Sequence, residues 1–318
     1  MPFTKHSKTT LAAESSAKKT LPEKPVIENK AKNIDGRSLA IHLKEDLVKR
    51  INVLEREHNI RPGLAIIRVG DDQASQVYVA SKKRQCKEVG IRSFEHVLPG
   101  TIEPEGLLDL MQSINEDPEI HGLIVQLPLP KKFNSPEIIQ TISPQKDVDG
   151  LHPLNLGKLF CDIKGGFVPC TPKGCIKLIH SVQKDLKGLK AVVIGTSNLV
   201  GKPLAHLLLK EGVTVSLLNA KTKDPKSLCS QADIVVAAAG VPYLVQGDWV
   251  KKGAIVIDVG INRLVDGQGK PYLVGDVDYD AVSKKAKAIT PVPGGVGPMT
   301  VACLLENTVI AAENFYSS

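Results

Sequence analysis

Aliphatic runs of strand length alternate with stretches of helical spacing along most of this chain, and that alternation restricts the fold more than any other feature. Leu64-Ala-Ile-Ile-Arg-Val69, residues 93–98 and Gly122-Leu-Ile-Val-Gln-Leu-Pro128 read as strands. Helices fit residues 38–58, where Leu39, Ile41, Leu43, Leu47, Ile51 and Leu54 keep near-helical spacing, the stretch around residues 75–86, and residues 103–115. Strands separated in this way by helices require a mainly parallel sheet with helices across its faces. Ligands of such sheets gather at the carboxyl ends of strands, so Gln126, at the end of the third strand, is placed to face a site.

The pattern repeats after a polar, turn-rich segment, Lys146-Asp-Val-Asp-Gly-Leu-His-Pro153. Leu189-Lys-Ala-Val-Val-Ile194 is a strand, Gly195-Thr-Ser-Asn-Leu-Val-Gly201 a glycine turn, and a helix runs on through Leu209. Further strands fit residues 213–218, 232–238 and 254–259. Strand, glycine turn, helix and strand make up a mononucleotide-binding unit, with phosphates received at the helix N-terminus. The glycine spacing departs by one residue from G-x-G-x-x-G, so a non-binding crossover is the competing reading. Leu199 stands where a nucleophile elbow needs its second glycine, which excludes that motif. The fold class is therefore α/β, with two α/β domains, the second a Rossmann-like dinucleotide-binding domain. Residues 34–150 form the first domain and 151–300 the second, while a closing helix over 301–312 returns the segment 301–318 to the first.

Residues 1–33 lack periodic apolar spacing and read as a disordered basic extension. Their seven Lys and three Glu contribute +4 of the formal charge of +7, so the rest is only mildly basic and suits an anionic small molecule. Aromatic residues at 4% are too few for a base-stacking surface, and no nucleic-acid partner is expected. No apolar run approaches the roughly 20 residues of a membrane span. The six cysteines show neither C-x-x-C pairing nor ligand spacing with His, so no metal site is expected and free thiols in a reducing compartment are. A mitochondrial presequence is Arg-rich and acid-poor, whereas this extension contains Glu14, Glu23 and Glu28 and no Arg, which favours a cytoplasmic location.

Within the helix around 75–86, Asp71, Asp72 or Ser75 can cap the start and Gly90 sits at the stop. Tyr78, Val79, Cys86 and Val89 form one stripe at about 100° per residue, and Lys82 falls inside it. An ammonium aimed at an apolar interior loses hydration, which lowers its pKa toward that of a base or proton donor. The competing reading is a snorkelling lysine whose stem covers apolar surface. Asp147 and Asp149 are each turn-formers or ligands for a polar heterocycle. In Pro169-Cys-Thr-Pro172, Thr171 takes the N-cap position of a helix and Pro172 the first helical one. Thr290-Pro-Val-Pro-Gly-Gly-Val-Gly-Pro-Met-Thr300 is a loop that permits close approach of backbone to a ligand.

Seven motifs then occur in one order. Tyr78-x-x-x-Lys82 with Cys86, Val125-Gln-Leu-Pro128, Lys146-Asp-Val-Asp-Gly150 and Pro169-Cys-Thr-Pro172 resemble the methylenetetrahydrofolate dehydrogenase/cyclohydrolase family. So do Gly195-x-Ser-x-x-Val-Gly201, Gly253-Ala-Ile-Val-Ile-Asp-Val-Gly-Ile-Asn262 and Pro291-Val-Pro-Gly-Gly-Val-Gly-Pro-Met-Thr300. The resemblance runs from about residue 34 to the C-terminus and is strongest to bacterial bifunctional members.

It implies two domains flanking a substrate cleft, a homodimer, and two reactions on tetrahydrofolate one-carbon derivatives. The first oxidises 5,10-methylenetetrahydrofolate with NADP, and the second hydrolyses the methenyl product to 10-formyltetrahydrofolate. It implies Lys82 as the centre of the hydrolytic step, Gln126 as its hydrogen-bond partner, Tyr78 packing on the folate and Asp149 meeting the pterin, with Pro293, Gly294 and Gly295 lining the substrate. Thr171, Gly195, Thr196, Ser197, Gly201, Ala220 and Ile261 are the implied cofactor positions. Members often carry Arg where Thr196 stands, and His followed by Ser or Arg where Asn219-Ala220-Lys221-Thr222 stands. Ala220 offers a 2′-phosphate neither charge nor donor, while Lys221 and Lys223 can substitute, so NAD is the alternative cofactor. A cyclohydrolase with weak or NAD-linked dehydrogenase activity is the rival within enzymes, and a basic nucleic-acid-binding protein the rival outside them.

Overall fold

The computed structural model describes residues 30–316. Most of the extension, and any disorder expected of it, lies outside the described residues. Its last part does not fit that expectation: Lys32–Asn33 form a strand, β1. Ladder pairing uses backbone groups alone, and both side chains are exposed, so no apolar pattern announced it.

The first unit runs α1 (Gly36–His58), β2 (Gly63–Val69), α2 (Gln73–Val89), β3 (Arg92–Leu98), α3 (Pro104–Glu116), β4 (Gly122–Val125) and α4 (Ser135–Thr141). Its three strands are parallel in the order β3-β2-β4. β2 is central and buried along nearly its whole length, as a strand covered on both faces must be. Asp35 caps α1 by accepting from the backbone N–H groups of Arg37 and Ser38 at 3.0 and 3.2 Å. Of the three capping candidates for α2, Asp72 is the one used, accepting from Ser75 N at 2.7 Å, and Gly90 ends the helix.

α5 (Pro153–Phe160) and α6 (Cys170–His180) lead to the second unit: β5 (Lys190–Ile194), α7 (Gly201–Lys210), β6 (Thr214–Leu218), α8 (Pro225–Cys229), β7 (Ile234–Ala237), β8 (Ile255–Asp258), β9 (Asn262–Val265), β10 (Pro271–Val274), α9 (Tyr279–Ser283) and β11 (Ala288–Ile289). Six parallel strands lie in the order β1-β11-β8-β7-β5-β6, and β9 and β10 form a separate antiparallel hairpin. The strand order reverses its direction of growth beside β5, where ligands of doubly wound sheets bind.

α10 (Val296–Tyr316) is longer at both ends than the sequence suggests. Proline is tolerated in a first helical turn, so Val296, Gly297 and Pro298 belong to the helix rather than to the loop before it. α10 packs against α1 and against α6, burying Met299, Ala302, Cys303, Leu305 and Val309. No helix among the described residues is long and apolar enough to cross a membrane.

Candidate active site

Lys82 is half-buried on α2. Val79, Cys86 and Val89 on the same helix are buried at 0–3% exposure and hold it against the core. Tyr78 departs from the expected apolar stripe: its phenol is 46% exposed, because it sits at the open edge of the helix rather than over the core. The Lys82 Nζ donates to Gln126 Oε1 at 2.9 Å. Gln126 follows directly on β4, with its backbone N–H bonded to Ile67 O at 2.8 Å. Its own Nε2 donates to Leu127 O at 2.6 Å, which leaves the amide oxygen facing the lysine.

Lys82, Gln126, Asp149, Cys170, Thr171, Leu199, Val200 and Thr300 line one cavity of about 220 Å³. Burial pushes the Lys82 ammonium below its ordinary range, and the Asp149 carboxylate opposes that shift. The two thiols nearby are not nucleophiles: burial pushes Cys86 up to about 12 and Cys170 well above the usual range. The two aspartates of the connector divide their tasks. Asp147, 1% exposed, accepts from Leu151 N at 3.1 Å, His152 N at 2.8 Å and Asn155 Nδ2 at 2.7 Å, so it builds the turn into α5. Asp149 is the one that faces the cavity.

Thr171 is not the N-cap of α6, which is Pro169; the helix begins at Cys170. Proline is tolerated within a first helical turn, where its missing N–H costs nothing, so Pro172 lies inside that turn and the helix starts two residues earlier than the side-chain pattern suggests. Thr171 is therefore free to turn its hydroxyl to Thr300, with the two Oγ1 atoms 3.0 Å apart. A second cavity, about 200 Å³, adjoins Tyr78 and is lined by Ile261, Pro293, Gly294, Gly295, Arg37 and Asp258. Arg37 and Thr300 were missed by sequence reasoning as site residues. Thr300 closes a motif already singled out, whereas Arg37 carried no signal. It reaches the loop because Gly36 lets α1 approach so closely that a Cβ there would stand 1.8 Å from Gly295 O.

The β5–α7 turn meets the same cleft. At Gly195, with φ of 115°, a Cβ would lie 2.1 Å from Ala238 O, and at Gly201 one would lie 1.8 Å from Gly195 O. Both glycines are thus demanded by backbone packing, and together they form a side-chain-free cradle at the start of α7. Ser197 Oγ accepts from Val200 N at 3.1 Å and shapes the turn, while Leu199 and Val200 reach the Lys82 cavity. Thr196 is half-buried in the same turn. This cradle fits a pyrophosphate. Ala220 stands apart, exposed in the turn after β6, where Asn219 N donates to Thr222 Oγ1 at 3.0 Å and Lys221 N to Asn219 Oδ1 at 2.8 Å. A larger groove of about 380 Å³, between α1 and the end of α10, has no such grouping; its Arg50 is engaged with Glu313.

The half of the chain that carries Lys82, residues 34–149, matches the family model of the tetrahydrofolate dehydrogenase/cyclohydrolase catalytic domain. Residues 169–316, which carry the glycine cradle, match the NAD(P)-binding domain of the same proteins. The chain belongs to the tetrahydrofolate dehydrogenase/cyclohydrolase family. It is 51% identical to the Bifunctional protein FolD of Paramagnetospirillum magneticum over 90% of this chain and 97% of that protein. Among solved structures, the bifunctional methylenetetrahydrofolate dehydrogenase/cyclohydrolase FolD of Campylobacter jejuni is 48% identical, with a TM-score of 0.86 over 89% of this chain and 99% of its own. The Trypanosoma brucei FolD, solved with NADP cofactor and an inhibitor, is 38% identical, with a TM-score of 0.87 over 91% of this chain and 99% of its own. As a tetrahydrofolate dehydrogenase/cyclohydrolase, the protein is a two-activity folate enzyme: it oxidises the methylene bridge and hydrolyses the methenyl bridge.

Proposed function

We propose that both reactions use the one cleft and that Lys82 handles the protons of the hydrolytic step. The observation that carries this is the 2.9 Å bond from Lys82 Nζ to Gln126 Oε1 inside a cavity shared with Asp149. The methenyl bridge is cationic, so water adds to its carbon once positioned. Of the two water protons, one ends on the folate nitrogen that departs and the other in solvent. An amine whose basicity is lowered by burial takes the first proton and returns it to that nitrogen. Gln126 holds the amine in place, Tyr78 offers an exposed ring for the folate to lie on, and Asp149 accepts from the amino and ring N–H donors of a pterin. Gly294 and Gly295 bring bare backbone, and Pro293 its ring, to the substrate.

A bound nicotinamide cofactor would supply the hydride acceptor for the oxidation. The protein supplies orientation for that step, because the substrate nitrogen's lone pair assists departure and no strong acid or base is required. The Gly195–Gly201 turn, with Thr196 and Ser197, would hold the pyrophosphate, with Thr171 of the Lys82 cavity and Ile261 of the second cavity toward the nicotinamide end. NADP is the cofactor, with the exposed Lys221 and Lys223 supplying charge beside Ala220 where the 2′-phosphate binds. A homodimer and a cytoplasmic location complete the proposal; six free cysteines accord with a reducing compartment.

A coupled assay tests the proposal. Lys82→Met should lose methenyl hydrolysis while keeping cofactor binding and the wild-type circular-dichroism spectrum; near-normal hydrolysis would remove Lys82 from the mechanism. The same assay with NADP and NAD decides the cofactor, and equal or better kcat/KM with NAD would overturn the NADP assignment.

A further inference from the structure

Asn307 lies in α10 within the aliphatic stretch Cys303-Leu-Leu-Glu-Asn-Thr-Val309 and is 1% exposed. A primary amide at that depth persists only where its donors and acceptor are matched, and here they are. Its Nδ2 donates to Val148 O at 2.8 Å and to Val168 O at 3.0 Å. Its Oδ1 accepts from Lys173 Nζ at 2.8 Å. Lys173 is in turn held by Glu306 at 2.7 Å, and Lys177 reaches the other oxygen of that carboxylate at 3.2 Å.

The two carbonyls are informative. Val148 immediately precedes Asp149, and Val168 precedes Pro169, after which Cys170 and Thr171 open α6. One amide therefore joins the two segments that bring Asp149 and Thr171 to the cavity, from a helix whose Thr300, Val301 and Leu304 line that cavity too. Two weaker ties run between the segments, from Cys170 N to Asp149 O at 3.4 Å and from Cys170 Sγ to Val148 O at 3.3 Å. An amide can sit either way round. Flipped, its oxygen would face two carbonyl oxygens and its amino group would face an ammonium, so Lys173 fixes the orientation in which both donors are used.

The geometry points to Asn307, oriented by Lys173, as a positioning residue that sets the place of Asp149 in the folate cavity. Neither touches the cavity as a lining group, and both act through the backbone that carries Asp149. The inference rests on the reading of Asp149 as the group that meets the pterin. A side chain serving only helix packing would alter stability and leave the substrates' relative affinities alone.

The test is a double-mutant cycle on the full chain, read in the dehydrogenase reaction. Asn307→Asp keeps the shape and the lysine contact but removes both donors. It should raise the KM for methylenetetrahydrofolate about tenfold, the scale of a lost buried hydrogen bond, with kcat and the Kd for NADP changed less than about twofold. Lys173→Met, which leaves the amide unanchored, should raise the folate KM in the same direction by a smaller factor. Combined with Asp149→Asn, Asn307→Asp should add less than its own factor, because both act on one contact. An unchanged folate KM in folded Asn307→Asp, an equal loss of NADP affinity, or factors that simply multiply with Asp149→Asn would each overturn the clamp. If Asn307→Asp does not fold, Lys173→Met is judged by the same three criteria. An unchanged folate KM in Asp149→Asn strikes the assignment of Asp149 itself, and a raised KM in Asn307→Asp beside it then overturns the clamp as stated.

Discussion

Lys82 and His121 show how far position alone alters a titratable side chain. Both can carry a positive charge in water, and burial disfavours the charged form of both. For Lys82 the result is an ammonium that gives up its proton more readily than it would in water. For His121, 6% exposed, the result is an imidazole held at about 4, by burial first and then by the nearby Lys146 and Arg92. Its Nδ1 accepts from Gly63 N at 3.1 Å, a bond only the neutral ring can make. Above the ordinary histidine value of 6.5 the ring is neutral in both folded and unfolded chains. As the pH falls from there, the unfolded chain takes up the proton and the folded one does not, so stability declines until the pH nears 4, where the folded ring also protonates. The loss is at most about 3 kcal/mol. In urea titrations at pH 7 and pH 4.5, His121→Asn should lose less stability over that interval than the wild type. An identical loss would show that His121 is not the group involved. Lys82 was legible in the sequence as a cation on an apolar face. The choice between Asp147 and Asp149 was not, because it depends on Asn155 and His152 claiming one of them.

The long helices and the buried central strands were the most legible level, since each carries its own apolar period, whereas α4, α5, α8, α9, β9, β10 and β11 are too short to show one. Two other misfits have plain causes. β1 pairs through its backbone and needs no side-chain pattern, and the start of α10 hides among glycines and prolines that usually signal a loop. On the proposed function, the β5–α7 turn is the element on which cofactor binding depends most sharply. Gly201→Ala would place a methyl group 1.8 Å from Gly195 O, and backbone cannot yield as a flexible side chain can. The turn must open, at a cost of about 1–3 kcal/mol. The expected result is a Tm lower by several degrees and a Kd for NADP raised by more than about tenfold in fluorescence titration, with methenyl hydrolysis retained. Unchanged NADP binding would mean the cradle is not where the pyrophosphate sits.

The arrangement of the whole molecule was the least legible level, because contacts between distant segments leave no local pattern. α10 is the clearest case. It lies against α1 and α6 at once, lines the Lys82 cavity with Thr300 and Leu304, and holds Arg50 of α1 through Glu313 at 2.9 and 2.6 Å. That bidentate pair is half-exposed and remote from the cleft, so its part is in stability alone. Arg50→Ala should lower stability by about 1 kcal/mol, a few degrees by scanning calorimetry, with both KM values and both kcat values unchanged. A change in the folate KM would show that the α1–α10 contact reaches the cleft.

The pairing of β1 with β11 has a consequence for how the protein is made. A ribosome delivers Lys32 and Asn33 long before their ladder partners Ala288 and Ile289, and before α10, on which α1 packs. The earliest described segment therefore waits for the latest, and a nascent chain stopped before residue 288 has an open sheet edge and an uncovered α1. Such edges and faces are what chaperones and proteases recognise. The fold thus registers whether translation has passed α10, since only then can β1 pair with β11 and α1 be covered.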